Sequence, residues 1–187
     1  MGRKAQYDRQ EVLEKATELF RIKGYEVSMR TVFKITELNP NSLYAQFGNK
    51  DGLYIEALHN YRNNIEQNAM YILYEVPRSL DSIRLFFDLY IQQADEFGCL
   101  MMNTLTHHKS MPEEAVEIVD QYYFDLAGSF VECLKEDTNY ERVPTARLKV
   151  FATYLVGALQ GVIVALCQGM PEEIVKRQVE IALTARP

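Results

Sequence analysis

Residues 19–58 read LFRIKGYEVSMRTVFKITELNPNSLYAQFGNKDGLYIEAL, and the punctuation of this stretch predicts short helices joined by tight turns. Just upstream, Val12, Leu13 and Ala16 join Leu19 and Phe20 at helical spacing. Gly24 follows the basic turn of Arg21 and Lys23 as a helix stop does, which predicts a helix over 8–23. Ser28 is placed to cap a second helix through its hydroxyl, with Val32 and Ile35 on the inner face. Asn39-Pro40 is the sharper signal, because proline suits the first helical position and pushes the residue before it out of helical dihedrals. A third helix therefore starts at Pro40 and ends at Phe47, before Gly48 and Asn49. A fourth runs from Lys50 into the seventies and stops before Pro77. The second and third helices are separated by Thr36, Glu37 and Leu38, with Leu38 turned inward. This is a helix-turn-helix pattern, whose later helix presents its first residues to a DNA major groove.

Beyond Pro77 the pattern stays helical, over 79–94, 98–109, 112–136, 145–168 and 171–185, with Pro112 and Pro171 at helix starts. Between Val150 and Leu166 the only polar side chains are Thr153, Tyr154 and Gln160. Two glycines interrupt this short apolar run, so it reads as a buried helix rather than a membrane span. The expectation is an all-α fold: an N-terminal three-helix helix-turn-helix domain over 1–50 and a larger helical domain over 51–187.

Composition narrows the classes. Hydrophobic residues make up 48% of the 187 and charged residues 25%, with nine Gly and six Pro, which excludes collagen-like, low-complexity and largely disordered chains. The net charge of −6 is unevenly spread. Residues 1–50 hold nine Lys or Arg against six Asp or Glu, and residues 51–187 hold eleven against twenty, so the front is basic and the rest acidic. A chain so divided can meet a polyanion at its basic end. The start MGRKAQYDRQ lacks an apolar targeting segment, and Cys99, Cys133 and Cys167 leave an odd thiol with no metal-ligand spacing. Both features point to a reducing cytoplasm.

The stretch from Leu19 to Leu58 resembles the N-terminal domain of the TetR/AcrR family of transcriptional repressors. The likeness is carried by Phe20, Gly24 and Tyr25, by Ser28, and then by Leu43, Tyr44, Phe47, Gly48, Lys50 and Leu53. The resemblance implies a homodimeric repressor bound to a palindromic double-stranded DNA operator and released by a small-molecule inducer, with neither a cofactor nor a metal. On that reading Asn39, Asn41, Ser42 and Gln46 reach base edges or nearby phosphates. Tyr44 and Lys50 clamp phosphate, supported by Ser28, Arg30 and Lys34. The chain departs from the family pattern at Phe33, where a small residue is common, at Glu37, where glycine is common, and at Gln46, where an aromatic or His is common. Glu37 incurs strain if its turn needs a positive φ.

In the larger part, the resemblance implies an inducer pocket, for which the candidates are Phe86, Phe87, Tyr90, Met101, Tyr122, Tyr123 and Phe130, with Asn103, Thr104 and His107 as polar contacts. The competing reading of such an aromatic and Met stripe is plain core. Gly157, Ala158, Gly161 and Ala165 form a small-residue face that, with Ile174, Gln178 and Ile181, predicts a two-fold dimer interface. Cys99 lies in FGCLMMNT, which resembles a Gly-Cys-Leu segment found in some TetR-like regulators that sense electrophiles or oxidants. It is read either as a thiol sensor or as a packed small hydrophobe. Two contrasting classes remain. A helical metal-dependent enzyme is suggested by Glu56-x-x-His59, but that spacing occurs once where a di-iron bundle needs two copies. A partner-binding helical module without DNA affinity is suggested by Glu37 and the modest basic excess. Neither class outweighs the forty-residue pattern, and no enzyme activity is expected.

Overall fold

The computed structural model describes residues 8–75 and 77–185. Arg3 and Lys4, which add to the basic balance of the first fifty residues, lie outside them. The described residues form nine α-helices and no strand: α1 (Arg9–Lys23), α2 (Met29–Thr36), α3 (Pro40–Phe47), α4 (Lys50–Asn68), α5 (Leu80–Gln93), α6 (Leu100–Thr106), α7 (Glu113–Glu136), α8 (Thr145–Cys167) and α9 (Glu172–Thr184). Three short 3₁₀ turns, Met70–Leu73, His108–Ser110 and Thr138–Tyr140, sit at helix ends where a helical reading had run on or stopped.

The caps explain the boundaries. The Asp8 carboxylate accepts from the Gln10 N–H, Ser28 Oγ from Thr31 N–H, Asn39 Oδ1 from Ser42 N–H and Asn49 Oδ1 from Gly52 N–H. Each satisfies an amide that the first helical turn leaves without a partner. The front of the chain is built on α1, whose Ala16, Leu19 and Phe20 face Val32, Leu43 and Leu53 within one continuous core. Helix α4 continues from this head into the body, packing on α1 along its first part and on α7 beyond. The domain boundary expected at residue 50 coincides with its first turn.

Tyr54 of α4 ties the two parts together. Its ring meets Phe20 and Tyr25 edge-on, with centroids 4.9 and 5.0 Å away, and its hydroxyl hydrogen-bonds Thr104 Oγ1 of α6 at 2.8 Å. Helix α8 has the length and hydropathy of a bilayer span. One face, with Leu148, Phe151, Leu155 and Leu159, is buried in the core, and α8 lies between α7 and α9. The opposite face is open: Val150, Tyr154, Gly157, Gly161 and Val164 are exposed at helical spacing, and Ile174 and Ile181 of α9 are exposed beside them.

Candidate nucleic-acid interface and body cavities

Helix α3 is eight residues long and clamped at both ends, so its outward row is well defined. Leu43 and Phe47 point into the core, which leaves Asn41, Tyr44 and Ala45 on the outer face at i, i+3 and i+4. Asn41 has a free amide there, the group that pairs bidentately with adenine. Ala45 is a residue the sequence reading passed over, because a small apolar side chain carries no polar signal; exposed on this face, it suits contact with a thymine methyl. Asn39 is partly committed, since its oxygen caps α3 and only its amide NH₂ remains to donate outward. Gln46 is half-buried, and its carbonyl oxygen is enclosed without a hydrogen-bond partner, so its side chain lies off the outward row.

The flanks of α3 carry the groups suited to phosphate. Tyr44 is 45% exposed, and its ring is held edge-on by Phe33 at 6.0 Å. The bulky Phe33 thus supports the tyrosine from below. Lys50 begins α4, and its ammonium lies 4.4 Å from the centre of the Tyr25 ring. Tyr25 in turn donates to Asp51, and burial, followed by that carboxylate, pushes its hydroxyl well above the ordinary phenol range. The phenol therefore stays protonated and the Lys50 stem is oriented at the helix N-terminus. Arg30 and Lys34 are exposed on α2, and Ser28 and Thr31 share a hydroxyl contact of 2.9 Å at its start. Thr31, also absent from the sequence reading, adds a second hydroxyl at the same helix end.

Glu37 adopts φ 60° in the left-handed region, the strained case foreseen from sequence, and ends α2. Its carboxylate pairs with Lys15 at 3.3 Å. The turn keeps its geometry with Leu38 buried beneath it.

In the body, Phe86, Phe87, Met101, Thr104, Tyr122 and Phe130 are fully packed; the two phenylalanines of α5 contact the Phe130 ring at 5.5 and 6.2 Å. They line neither of two cavities that adjoin the C-terminal end of α1. One, of about 240 Å³, is lined by Tyr61, Asn64, Tyr90, Gln93, Asp95, Cys99 and Ile163 and reaches Arg21. The other, of about 400 Å³, lies between the end of α1 and α6 and is lined by Tyr25, Tyr54, Phe97, Asn103 and His107. The polar candidates are accordingly split: Tyr90 borders the first cavity, Asn103 and His107 the second, and Thr104 is consumed by Tyr54 and the Leu100 carbonyl. Tyr123 is half-buried, its hydroxyl 3.9 Å from Met102 Sδ. Cys99 is 2% exposed, at the N-cap of α6.

Arg21 joins both cavities. Its guanidinium donates to Asp95, including Oδ2 at 2.6 Å, to Glu18 at 2.6 and 2.8 Å, and to the Gly98 carbonyl at 3.1 Å. The Asn103 amide donates to the Arg21 carbonyl at 3.2 Å. The hydrogen bond from Arg21 holds the Asp95 carboxyl below its ordinary range.

On the open face of α8 and α9, Gly157 and Gly161 are exposed, and Ile174, Gln178 and Ile181 lie outward on α9. Ala158 is half-buried, and Ala165 is turned into the protomer's own core, because it falls one helical step off that face. Val150, Tyr154 and Val164 complete the exposed row and were not singled out from sequence. Glu56, of the Glu-x-x-His spacing, is paired with Arg9 at 3.2 Å, and no cluster of three metal-ligating side chains occurs among the described residues.

The family described as "Bacterial regulatory proteins, tetR family" matches residues 12–57, from the first buried turn of α1 into α4. The HTH-type transcriptional repressor ComR of Escherichia coli (strain K12) is 29% identical over 111 residues, 56% of this chain and 53% of ComR, so the chain matches about half the length of that relative. A cysteine mutant of the TetR family transcriptional regulator CifR, complexed with 26 bp double-strand operator DNA, superposes with a TM-score of 0.86 at 28% identity over 100% of both chains. The TetR-family regulator SCO4454 from Streptomyces coelicolor shares the fold, with a TM-score of 0.78 at 19% identity over 94% of this chain and 93% of its own.

Proposed function

We propose that this chain, whose residues 12–57 match the tetR family of bacterial regulatory proteins, is a ligand-responsive repressor acting as a homodimer on a palindromic operator. The observation that carries the reading is the outward row of α3, Asn41, Tyr44 and Ala45, set between the Asn39 cap and the Lys50 ammonium. Helix α3 enters the major groove, Asn41 and Ala45 meet base edges, and Tyr44, Lys50 and the α2 start fix the phosphates. Two copies paired through the open face of α8 and α9 present two such helices to successive grooves, which supports a palindromic site. An effector in a cavity bordering Arg21 alters how α1 sits on the body, so that operator and effector oppose each other through one coupling free energy. The operator complex of CifR, at 28% identity over the whole chain, supports DNA as the partner.

The test is selection of bound duplexes from a random pool, followed by titration of two variants on the selected site. Lys50→Ala is expected to weaken binding to all sequences alike and to lower the log-log salt slope by about one. Asn41→Ala is expected to relax preference at one base position in each half-site. Unchanged affinity and preference in both variants would remove α3 and its flank as the DNA surface.

A further inference from the structure

The turn between α5 and α6 lies directly on the end of α8. Gly98 has φ 75°, and a Cβ built on it would come within 2.7 Å of Cys167 Sγ. Glycine is therefore required twice over at this position, for its left-handed backbone and for the sulfur beneath it. The next residue is Cys99, whose Cα is about 3.8 Å further along the chain. Cys99 thus follows directly on the residue that rests against Cys167, 68 positions away in sequence, and lies near enough to act on the Cys167 thiol electrostatically, while Cys133 is buried elsewhere against the Leu73 carbonyl.

The surroundings of the two thiols differ. Cys99 borders the 240 Å³ cavity, which Tyr61 and Tyr90 also line. Burial keeps both phenols protonated, so each has an O–H to offer to a polar molecule in the cavity. The Tyr122 hydroxyl, in the same cluster, is buried without a partner. Cys167 is exposed, and its thiol is raised above the ordinary range first by burial of the sulfur and then by Asp95 and Cys99.

We propose that Cys99 and Cys167 form a redox-active dithiol, which a hydroperoxide entering the Tyr61–Tyr90 cavity converts to an intramolecular disulfide. The proposal deepens the regulator reading above and rests on it for its consequence. The Cys99 thiolate attacks one peroxide oxygen; the O–O bond breaks, sulfur loses two electrons, and the departing alkoxide takes a proton from water to leave as an alcohol. Cys167, deprotonated, then attacks the sulfur of the Cys99 sulfenic acid, and the expelled hydroxide is protonated to water. Two thiols and one hydroperoxide thereby give one disulfide, one alcohol and one water. Closing the bond draws Cys99 and the Gly98 carbonyl toward α8, in a turn that already rests on the sulfur. That carbonyl and Asp95 are the anchors of Arg21 at the end of α1, so the disulfide pulls on the helix that carries the DNA-binding head.

The experiment treats the full chain, bound to its selected duplex, with stoichiometric cumene hydroperoxide, then blocks free thiols and maps peptides by mass spectrometry. The expected result is a Cys99–Cys167 linked peptide within single chains, at least tenfold weaker DNA binding, and recovery of both on adding dithiothreitol. Cys133→Ser should behave as the unsubstituted chain. Cys167→Ser should form no link, leaving Cys99 as a sulfenic acid that a second equivalent of hydroperoxide carries forward to sulfinic acid. Oxidation of Cys99 with Cys167 still free to alkylate, or a link only between chains, overturns the dithiol. A link that forms without change in DNA affinity overturns the switch. Reduced protein that selects no duplex refutes the DNA reading instead, and the dithiol is still decided by the peptide map.

Discussion

Glu37 fills the only left-handed backbone position taken by a residue other than glycine among the described residues. Its Cβ strains the turn, and its carboxylate precedes the helix proposed to meet DNA, balanced by an exposed pair with Lys15. Glu37→Gly is expected to stabilise the fold by about 1 kcal/mol and to tighten operator binding. A thermal melt and a DNA titration check it, and a loss of stability would mean that the Lys15 pair outweighs the strain. A second residue-scale expectation concerns Cys133, whose thiol burial pushes up to about 11 from an ordinary 9.0. The folded chain therefore keeps this proton when the unfolded chain has released it. The resulting stability is complete below pH 9 and fades as pH rises from 9 toward 11. At pH 8, iodoacetamide is expected to label Cys133 only after denaturation; labelling of the native chain at the rate of Cys167 would contradict it. The residues that sequence could nominate were those with local signatures, such as Ser28, Asn39 and Lys50 at helix starts. It could not see that Gln46 turns its oxygen inward, or that Ala45 faces out, because neither property is encoded in residue type.

At the scale of elements, the joint between α3 and α4 is the tightest in the head. A Cβ at Gly52 would collide with the Phe47 carbonyl oxygen, and the contact is with rigid backbone rather than a flexible side chain. Gly52→Ala is expected to destabilise the fold by at least about 2 kcal/mol, although alanine is the better helix former in isolation. Circular dichroism during urea unfolding measures it; a stabilised variant would show that the two helices can separate freely. Helix positions were legible throughout because caps, prolines and glycines mark them locally. Boundaries drifted at Leu73 and Thr106, where 3₁₀ turns extend the helical pattern. The aromatic stripe of α5 and α7 was legible as apolar, but whether it lines a void depends on how helices distant in sequence interlock. In the fold Phe86, Phe87 and Phe130 close on one another, and space opens instead beside Tyr61, Tyr90 and Cys99.

At the scale of the molecule, the open face of α8 and α9 makes its own prediction. Gly161 is exposed, with no atom within 4 Å of an added Cβ, so Gly161→Arg should leave the single chain folded. In the proposed dimer the same charge would be buried without a partner. Sedimentation is expected to show a monomer of unchanged helicity, with operator affinity reduced at least about tenfold. A dimer that persists would place the interface elsewhere. Tyr54 has a wider consequence. Wedged against Phe20 and Tyr25 on one side and bonded to Thr104 on the other, it makes the seam between head and body run through a helix rather than through a linker. A head cut at residue 50 leaves behind the leucine and tyrosine that complete its core. On the proposed reading, any exchange of DNA specificity between relatives, by recombination or in the laboratory, carries α4 along with α3, and the new body must then supply partners for Tyr54, Arg62 and Arg21 as Thr104, Asp125 and Asp95 do here.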